Sequence, residues 1–330
     1  MPVENLPVPT TLVRWSQRLL KGLALSILAS LNTQAANLIV GDQSYSARTV
    51  MEAAGVLEDL PYELEWKQFT AGSPVAEALN VGSLDIGLLG DSPALFMGAL
   101  GAPIKVIGVS RQNLDGVAIV VRKDSPINTV ADLAGKKVAI WKGSFSQQLM
   151  LTALDKAGVA RDAVDYRYLS ALDSSHALDG GSVDAIATWE PYVTQQERQG
   201  ARIIATAEGL IPAQSFIVAN DQTIKDKRAQ ISDFLQRLQA ARAWSVSDPQ
   251  HNERYANAWS ALTKADAEVA RRWFSRAQVV VVPITAQVVA GAQQTIDFFN
   301  NAGLTKRYPA ASVFDESFSA ALADQAQAVR

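Results

Sequence analysis

The stretch ALNVGSLD, residues 78–85, recurs with few changes as ALDGGSVD at residues 177–184. A second pair, Ser44-Tyr45-Ser46 and Ser144-Phe145-Ser146, lies at nearly the same separation. A separation of about a hundred residues is too long for a solenoid repeat. It predicts two similar α/β lobes that face each other. Chance similarity between common helix-to-strand phrases is the alternative.

Short apolar runs alternate with helical patterns along most of the chain. The strand-like runs are residues 38–41, 64–69, 84–89, 104–109, 137–141, 166–169, 185–189 and 202–206. This alternation predicts an α/β fold of two lobes, each a mainly parallel sheet flanked by helices. We expect the lobes at residues 37–117 plus 217–330 and at residues 118–216, with strands near 116–121 and 214–219 crossing between them.

The tail after residue 219 has a mainly helical pattern. Six apolar residues fall on one stripe at helical spacing, and we interpret that stripe as core packing without a ligand. They are Ile231, Phe234, Leu235, Leu238, Ala241 and Trp244.

The composition is that of an ordinary globular protein. Of its residues, 48% are hydrophobic and 19% are charged. The chain has 330 residues, a length sufficient for two domains with well-buried cores. The formal net charge is −3. No block of basic residues stands out, so we expect no nucleic-acid partner.

The first 36 residues have the pattern of a secretory signal peptide. Arg14, Arg18 and Lys21 precede an apolar run over residues 22–31, and the small residues Ala35 and Ala36 follow. The run is too short to span a bilayer, which takes about 20 residues. We therefore predict export to the periplasm and removal of residues 1–36. A soluble amphipathic helix is the alternative interpretation.

The chain contains no cysteine and two histidines, His176 and His251. The missing cysteine excludes disulfides, thiolate catalysis and a lipid anchor on an N-terminal cysteine. The histidines lie far apart with no ligand spacing around them, so we expect no metal site and no cofactor.

Four loops have the position and composition of a ligand site. They are residues 43–46, 90–93, 143–146 and 189–191, and each joins the carboxyl end of a predicted strand to a predicted helix. Ligands of open parallel sheets bind at such ends, and a helix N-terminus favours an anion. The loops hold few cations, which suits a monoanion bound by neutral donors. Capping of the helices by the loop serines is the alternative, and Asp91 and Glu190 could contact a ligand or cap helices.

At these loops the chain resembles the periplasmic aliphatic-sulfonate-binding proteins of ABC importers, in the wider group of taurine- and nitrate-binding proteins. The matching phrases are GDSPA at 90–94, DLAGKKVA at 132–139, KGS at 142–144 and WEPY at 189–192. The resemblance implies a type II periplasmic-binding-protein fold that closes on an alkanesulfonate and delivers it for sulfur uptake. It also implies a permease and an ATPase as separate chains. We expect a monomer.

The resemblance and the loops together predict a set of residues that contact the ligand. Ser92 and Ser144 are expected to donate hydrogen bonds, and Arg111 is the best local cation. The set is Gln43, Ser44, Tyr45, Ser46, Asp91, Ser92, Arg111, Gln112, Gly116, Ser144, Ser146, Trp189 and Glu190.

Other functions remain open at this point. The same fold could bind taurine, nitrate or a thiamine precursor. A Ser-His-Asp hydrolase is a further possibility, because Gly90-Asp91-Ser92 and the Asp248-x-x-His251 spacing match one hydrolase family. A pyrimidine-forming enzyme of this fold would need histidine and iron, which two isolated histidines do not supply.

Overall fold

The computed structural model describes residues 37–326, with side chains as far as Leu322. The predicted signal peptide, residues 1–36, lies outside the described residues. In the part of the chain that the structure describes, no helix has the length and apolar character needed to cross a membrane.

Eleven strands form two sheets in the described residues. The strands are β1 (Leu38–Gln43), β2 (Leu64–Phe69), β3 (Ile86–Gly90), β4 (Ile104–Arg111), β5 (Val117–Val121), β6 (Lys137–Ile140), β7 (Asp165–Tyr168), β8 (Ala185–Trp189), β9 (Arg202–Thr206), β10 (Ser215–Asn220) and β11 (Val280–Val282). The larger sheet has the order β11-β4-β10-β3-β1-β2, and the smaller sheet has the order β7-β6-β8-β5-β9. We call each sheet with its flanking helices the larger and the smaller lobe.

Twelve α-helices flank these sheets in the described residues. They are α1 (Ser46–Ala54), α2 (Gly72–Asn80), α3 (Asp91–Ala99), α4 (Phe145–Lys156), α5 (Ala171–Asp179), α6 (Tyr192–Arg198), α7 (Asp221–Asp226), α8 (Arg228–Ser247), α9 (Pro249–Thr263), α10 (Ala267–Ala277), α11 (Ala286–Asn301) and α12 (Ser319–Ala326). Separate hydrophobic clusters cover the two faces of each sheet. Each lobe is therefore a helix–sheet–helix sandwich.

The two sheets share one topology, which explains the repeated phrases. In the larger sheet, β10 runs antiparallel between β3 and β4. In the smaller sheet, β5 runs antiparallel between β8 and β9. The strands β2-β1-β3-β10-β4 thus correspond to β7-β6-β8-β5-β9. Both sheets are mixed. Four of the six strands of the larger sheet and four of the five strands of the smaller sheet run in the same direction.

The repeated phrase performs the same structural task in both lobes. Gly82 and Gly181 have φ angles of +73° and +70°, so each ends a helix with a left-handed turn. The aspartate that follows then accepts a backbone hydrogen bond of 2.8 Å from the corresponding strand of its lobe, β1 or β6. Asp85 accepts from Ile39, and Asp184 accepts from Lys137. The repeat therefore builds the amino ends of the sheets, away from the four loops that the sequence predicts as a ligand site.

The strands expected to cross between the lobes each lie within one sheet. Val117 in β5 pairs with Trp189 in the smaller sheet, and Ser215 in β10 pairs with Gly90 in the larger sheet. The chain passes between the lobes in the connectors at residues 112–116 and 207–214. We therefore place the lobe boundaries in these connectors.

Candidate ligand-binding cleft

A cleft of about 170 Å³ lies between the carboxyl ends of the two sheets. Its walls come from the turns after β1, β2, β3 and β4 on one side and from the turns after β6 and β8 on the other. The predicted residues that line it are Gln43, Ser44, Ser46, Gln112, Gly116, Ser144, Trp189 and Glu190. The structure thus brings together turns that are about a hundred residues apart in the chain.

Asp91 and Ser92 do not line the cleft, contrary to the expectation from the sequence. Both are fully buried. The Ser92 hydroxyl donates to Asp91 Oδ1 at 3.0 Å, while Thr295 Oγ1 donates to Asp91 Oδ2 at 3.3 Å. Asp91 also bonds to Gln214 through its backbone N–H, which donates to the Gln214 carbonyl at 2.8 Å. These two residues therefore tie the start of α3 to β10 and α11. Burial raises the pKa of Asp91 to about 6.

Three further predicted residues also lie outside the cleft lining. Ser146 Oγ accepts from the Trp141 backbone N–H at 2.8 Å and so shapes the turn before α4. Tyr45 packs against the core of the larger lobe. Arg111 is exposed at the end of β4 and lines a different pocket, which the connectors form with α11. Arg111 is therefore not the cation of this cleft.

The turn after β1 is closed by a carboxylate that belongs to the protein. Asp42 accepts hydrogen bonds from the backbone N–H groups of Gln43, Ala47 and Arg48, at 2.8 to 3.2 Å. Its side chain is buried, and this burial raises the pKa of Asp42. Asp42 thus uses the amides of Ala47 and Arg48 in the first turn of α1. At these two amides, a carboxylate of the protein stands where the sequence predicted a ligand anion.

The cation of the cleft is Arg242, a residue that sequence reasoning missed. Only 6% of its surface is exposed, and it lines the cleft. Its Nη1 donates to Tyr255 Oη at 3.1 Å, and its Nη2 donates to Ser46 Oγ at 2.9 Å. Its Nε is buried and has no hydrogen-bond partner among the described residues. A buried guanidinium N–H without a partner is costly unless a ligand accepts from it.

A sequence signal for Arg242 existed. It lies four residues after Leu238 and seven after Leu235, so it falls on the buried stripe of α8. The apolar residues of that stripe by themselves indicate core packing. An arginine on a buried stripe needs a partner that is itself charged or polar, and this requirement could have directed attention to it.

Ser144 lines the cleft but also caps its own helix. Its hydroxyl donates to the Trp141 carbonyl at 2.8 Å and accepts from the Ser146 N–H at 3.2 Å. The capping alternative therefore describes what Ser144 does in this structure. The remaining walls near it are aromatic, from Trp141, Phe145, Trp189 and Trp273.

Glu190 also caps a helix, and it forms an ion pair with the opposite lobe. Its carboxylate accepts from Thr194 N at 3.0 Å and from Thr194 Oγ1 at 2.9 Å, at the start of α6. Arg276 Nη1, from α10 in the larger lobe, donates to Glu190 Oε1 at 3.0 Å. Burial raises the pKa of Glu190, and the Arg276 charge acts in the opposite direction. The carboxylate lines the cleft, but it already accepts three hydrogen bonds, two from Thr194 and one from Arg276.

The structure does not assemble the Ser92–His251 hydrolase site. The Ser92 hydroxyl bonds to Asp91, as described above. His251 Nδ1 lies 2.9 Å from the Trp244 carbonyl and 3.1 Å from Ser247 Oγ, and its ring stacks on Trp244. The histidine therefore serves the packing of α8 against α9.

Comparison with known proteins identifies the family. The model of the NMT1/THI5-like family matches residues 62–252, which is more than half of the chain. The chain belongs to the NMT1/THI5-like family. This NMT1/THI5-like chain is 34% identical, over 266 residues, to an Escherichia coli (strain K12) protein named "Putative aliphatic sulfonates-binding protein". The match covers 79% of this chain and 83% of the relative.

Solved structures in the same comparison have the same fold. The periplasmic aliphatic sulphonate binding protein SsuA from Escherichia coli aligns with a TM-score of 0.77 at 31% identity, covering 84% of this chain and 92% of that one. The alkanesulfonate-binding protein SsuA from Xanthomonas axonopodis pv. citri, bound to MOPS, aligns with a TM-score of 0.78 at 29% identity. That match covers 86% and 99% of the two chains. The predicted resemblance and the two-lobed α/β fold are thereby confirmed.

Proposed function

We propose that this protein binds an alkanesulfonate in the cleft between its lobes and delivers it to an ABC importer for sulfur uptake. It acts as a binding protein without catalytic activity. It is exported to the periplasm, where residues 1–36 are removed. A permease and an ATPase, on separate chains, receive the ligand.

The observation that carries this proposal is the position of Arg242. Its guanidinium is the buried cation of the cleft lining, and its Nε lacks a partner among the described residues. Asp42 lies close enough to Arg242 for the arginine charge to lower the carboxyl pKa, against the larger effect of burial. One cation that is partly balanced by a carboxylate suits a monoanion better than a dianion.

A sulfonate fits this chemistry. It keeps one negative charge at any physiological pH, so its binding needs donors and no protonation step. Charge-assisted hydrogen bonds contribute about 1.5–3 kcal/mol each. The aromatic side chains on the walls supply apolar surface for an alkyl tail. The names of the relatives, which refer to aliphatic sulfonates and alkanesulfonates, agree with this assignment.

Lobe closure is the mechanism that this arrangement supports. The ligand contacts Arg242 and the serine turns of the larger lobe and the Trp141 to Ser144 turn of the smaller lobe. Because it bridges both lobes, it stabilises the closed form by the difference between its affinities for the two forms.

The first prediction concerns Arg242. In the variant Arg242→Gln, the affinity for propane-1-sulfonate should fall roughly 10- to 150-fold, which corresponds to the loss of about 1.5–3 kcal/mol of charge-assisted bonding. Isothermal titration calorimetry of wild type and variant measures this change. Titrations with taurine and nitrate, on the same wild-type sample, rank the alternative ligands.

The matched control is Arg237→Gln, which makes the same change on the same helix. Arg237 pairs with Asp233 at 2.8 Å, does not line the cleft, and should leave the affinity unchanged. Wild-type affinity in Arg242→Gln, with both variants folded by circular dichroism, would remove Arg242 from the site.

A further inference from the structure

Arg276 joins the two lobes beside the cleft. It lies in α10 of the larger lobe, and its guanidinium contacts two carboxylates of the smaller lobe, Glu190 and Glu197. The backbone of the same turn is held by the connector, because Asn113 Nδ2 donates to the Arg276 carbonyl at 3.0 Å. The side chain of Arg276 is 21% exposed and that of Glu190 is 5% exposed. The pair is therefore largely shielded from solvent.

Glu190 has little capacity left for a ligand. Thr194 supplies two hydrogen bonds to its carboxylate and Arg276 supplies a third, together with a full positive charge. A ligand ammonium that approached this carboxylate would compete with Arg276. It would also meet the field of the guanidinium, which repels a second cation.

The neighbouring walls suit an uncharged tail. Trp273 and Ala277 lie four residues apart on the face of α10 that lines the cleft, and Arg276 stands on the same turn as Ala277. Trp189 and Val279 complete this end of the cleft with apolar surface. Trp259 of α9, which packs against Trp273, donates to the Ser44 carbonyl at 2.7 Å, so α9 connects this end of the cleft to the turn near Arg242.

We propose that Arg276 is a specificity-determining residue that selects ligands with uncharged tails by occupying the Glu190 carboxylate from the opposite lobe. This inference rests on the proposed binding of sulfonates. It predicts discrimination between two ligands of nearly the same shape, propane-1-sulfonate and taurine. They differ in that a methyl group of the first is replaced by an ammonium group in the second.

The experiment measures the dissociation constants of both ligands by titration calorimetry at pH 7.5. Wild type should bind propane-1-sulfonate at least about tenfold more tightly than taurine. In Arg276→Met the ratio of the taurine constant to the propane-1-sulfonate constant should fall by about tenfold or more, because Glu190 then becomes free for the ammonium. Arg276→Lys keeps the charge and should retain the wild-type ratio.

Two further variants separate specificity from lobe closure. Arg198→Met breaks a separate ion pair between the lobes, that of Arg198 in α6 with Asp266 just before α10, at 2.6 Å and outside the cleft lining. It should change both constants by the same factor. In the double variant Arg276→Met with Glu190→Gln, the gain for taurine should disappear, since the Glu190 carboxylate is no longer there to accept from the ammonium.

The outcomes distinguish this inference from the proposed function. If wild type binds neither ligand, both proposals are overturned. If wild type binds propane-1-sulfonate and taurine equally, or if folded Arg276→Met keeps the wild-type ratio, only the role of Arg276 is overturned. If Arg276→Met does not fold, the ratio of the taurine and propane-1-sulfonate dissociation constants in wild type tests the role of Arg276, and equal constants overturn it.

Discussion

Three charged side chains that line the cleft are buried. Arg242, Asp42 and Glu190 are each more than nine-tenths buried, and each has several hydrogen-bond partners or an opposite charge nearby. Side chains of this kind are expensive to bury, and they persist where they bind or orient something. Asp91 differs from these three, because its partners Ser92, Gln214 and Thr295 lie outside the cleft lining.

Asp91 should make the stability of the fold depend on pH. Its pKa rises from 3.8 to about 6 on folding because the carboxyl is buried. A raised pKa in the folded state gives stability that is complete below about pH 4 and is lost as the pH rises through about 6. The loss should reach about 3 kcal/mol, from roughly two units of pKa at 1.36 kcal/mol each.

Urea unfolding of wild type and Asp91→Asn at pH 4, 5, 6 and 7 tests this expectation. The difference in unfolding free energy, wild type minus variant, should decrease over that range, since asparagine does not titrate. Parallel curves for the two proteins would contradict the burial of an ionisable Asp91.

At the scale of the secondary-structure elements, the aspartate of the repeated phrase accepts more hydrogen bonds in the larger lobe than in the smaller lobe. Asp85 is buried and accepts from Ile39 N, from Thr223 Oγ1 at 2.8 Å and from Lys227 Nζ at 2.7 Å. Asp184 is half-buried and accepts from Lys137 N. The larger lobe therefore uses its copy of the aspartate to fasten α7 and the start of α8 as well as β1.

This difference predicts the effect of one substitution made in both copies. Asp85→Ala should cost about 2–4 kcal/mol of unfolding free energy, because it leaves a buried hydroxyl, an ammonium and an amide without their acceptor. Asp184→Ala should cost about 1 kcal/mol, the contribution of a single hydrogen bond. Chemical denaturation of both variants measures the two costs, and equal values would mean that the extra partners of Asp85 contribute nothing.

At the scale of the whole molecule, the two lobes approach each other closely at Gly90. An added Cβ at Gly90 would lie 3.0 Å from the ring of Phe145, which belongs to the other lobe. The φ of Gly90 is −62°, so a larger residue is tolerated by the backbone. Glycine is thus required here by the close approach of the lobes and not by its own conformation.

Gly90→Val should therefore hold the lobes apart. We expect its affinity for propane-1-sulfonate to fall by about tenfold or more, with a melting temperature close to that of wild type, because the added methyl groups oppose closure and not folding. Small-angle X-ray scattering with saturating ligand should show a larger radius of gyration for the variant. Gly90→Ala should give an intermediate effect, since one methyl group can be accommodated by a small shift of the Phe145 ring. An unchanged radius and affinity in Gly90→Val would show that the lobes do not need this contact to close.

Much of the architecture follows from local patterns. The bounds of β2, β8 and β9 agree with the apolar runs, and the serine turns stand where helices begin. These features depend on residues within a few positions of each other, through the alternation of strands, the helical period and the glycine turns. The matched phrases at 78–85 and 177–184 also anticipated the shared topology of the two sheets.

The site itself depends on contacts between residues far apart in the chain. Ser46 meets Arg242 and Glu190 meets Arg276 only after the tail helices have packed on the larger sheet and the lobes have approached each other. No local period encodes which carboxylate a guanidinium will reach across some 90 to 200 residues. The sequence alone therefore predicted the two lobes and the loops between them, whereas packing determined which charged side chains line the cleft and which turn only supports the fold.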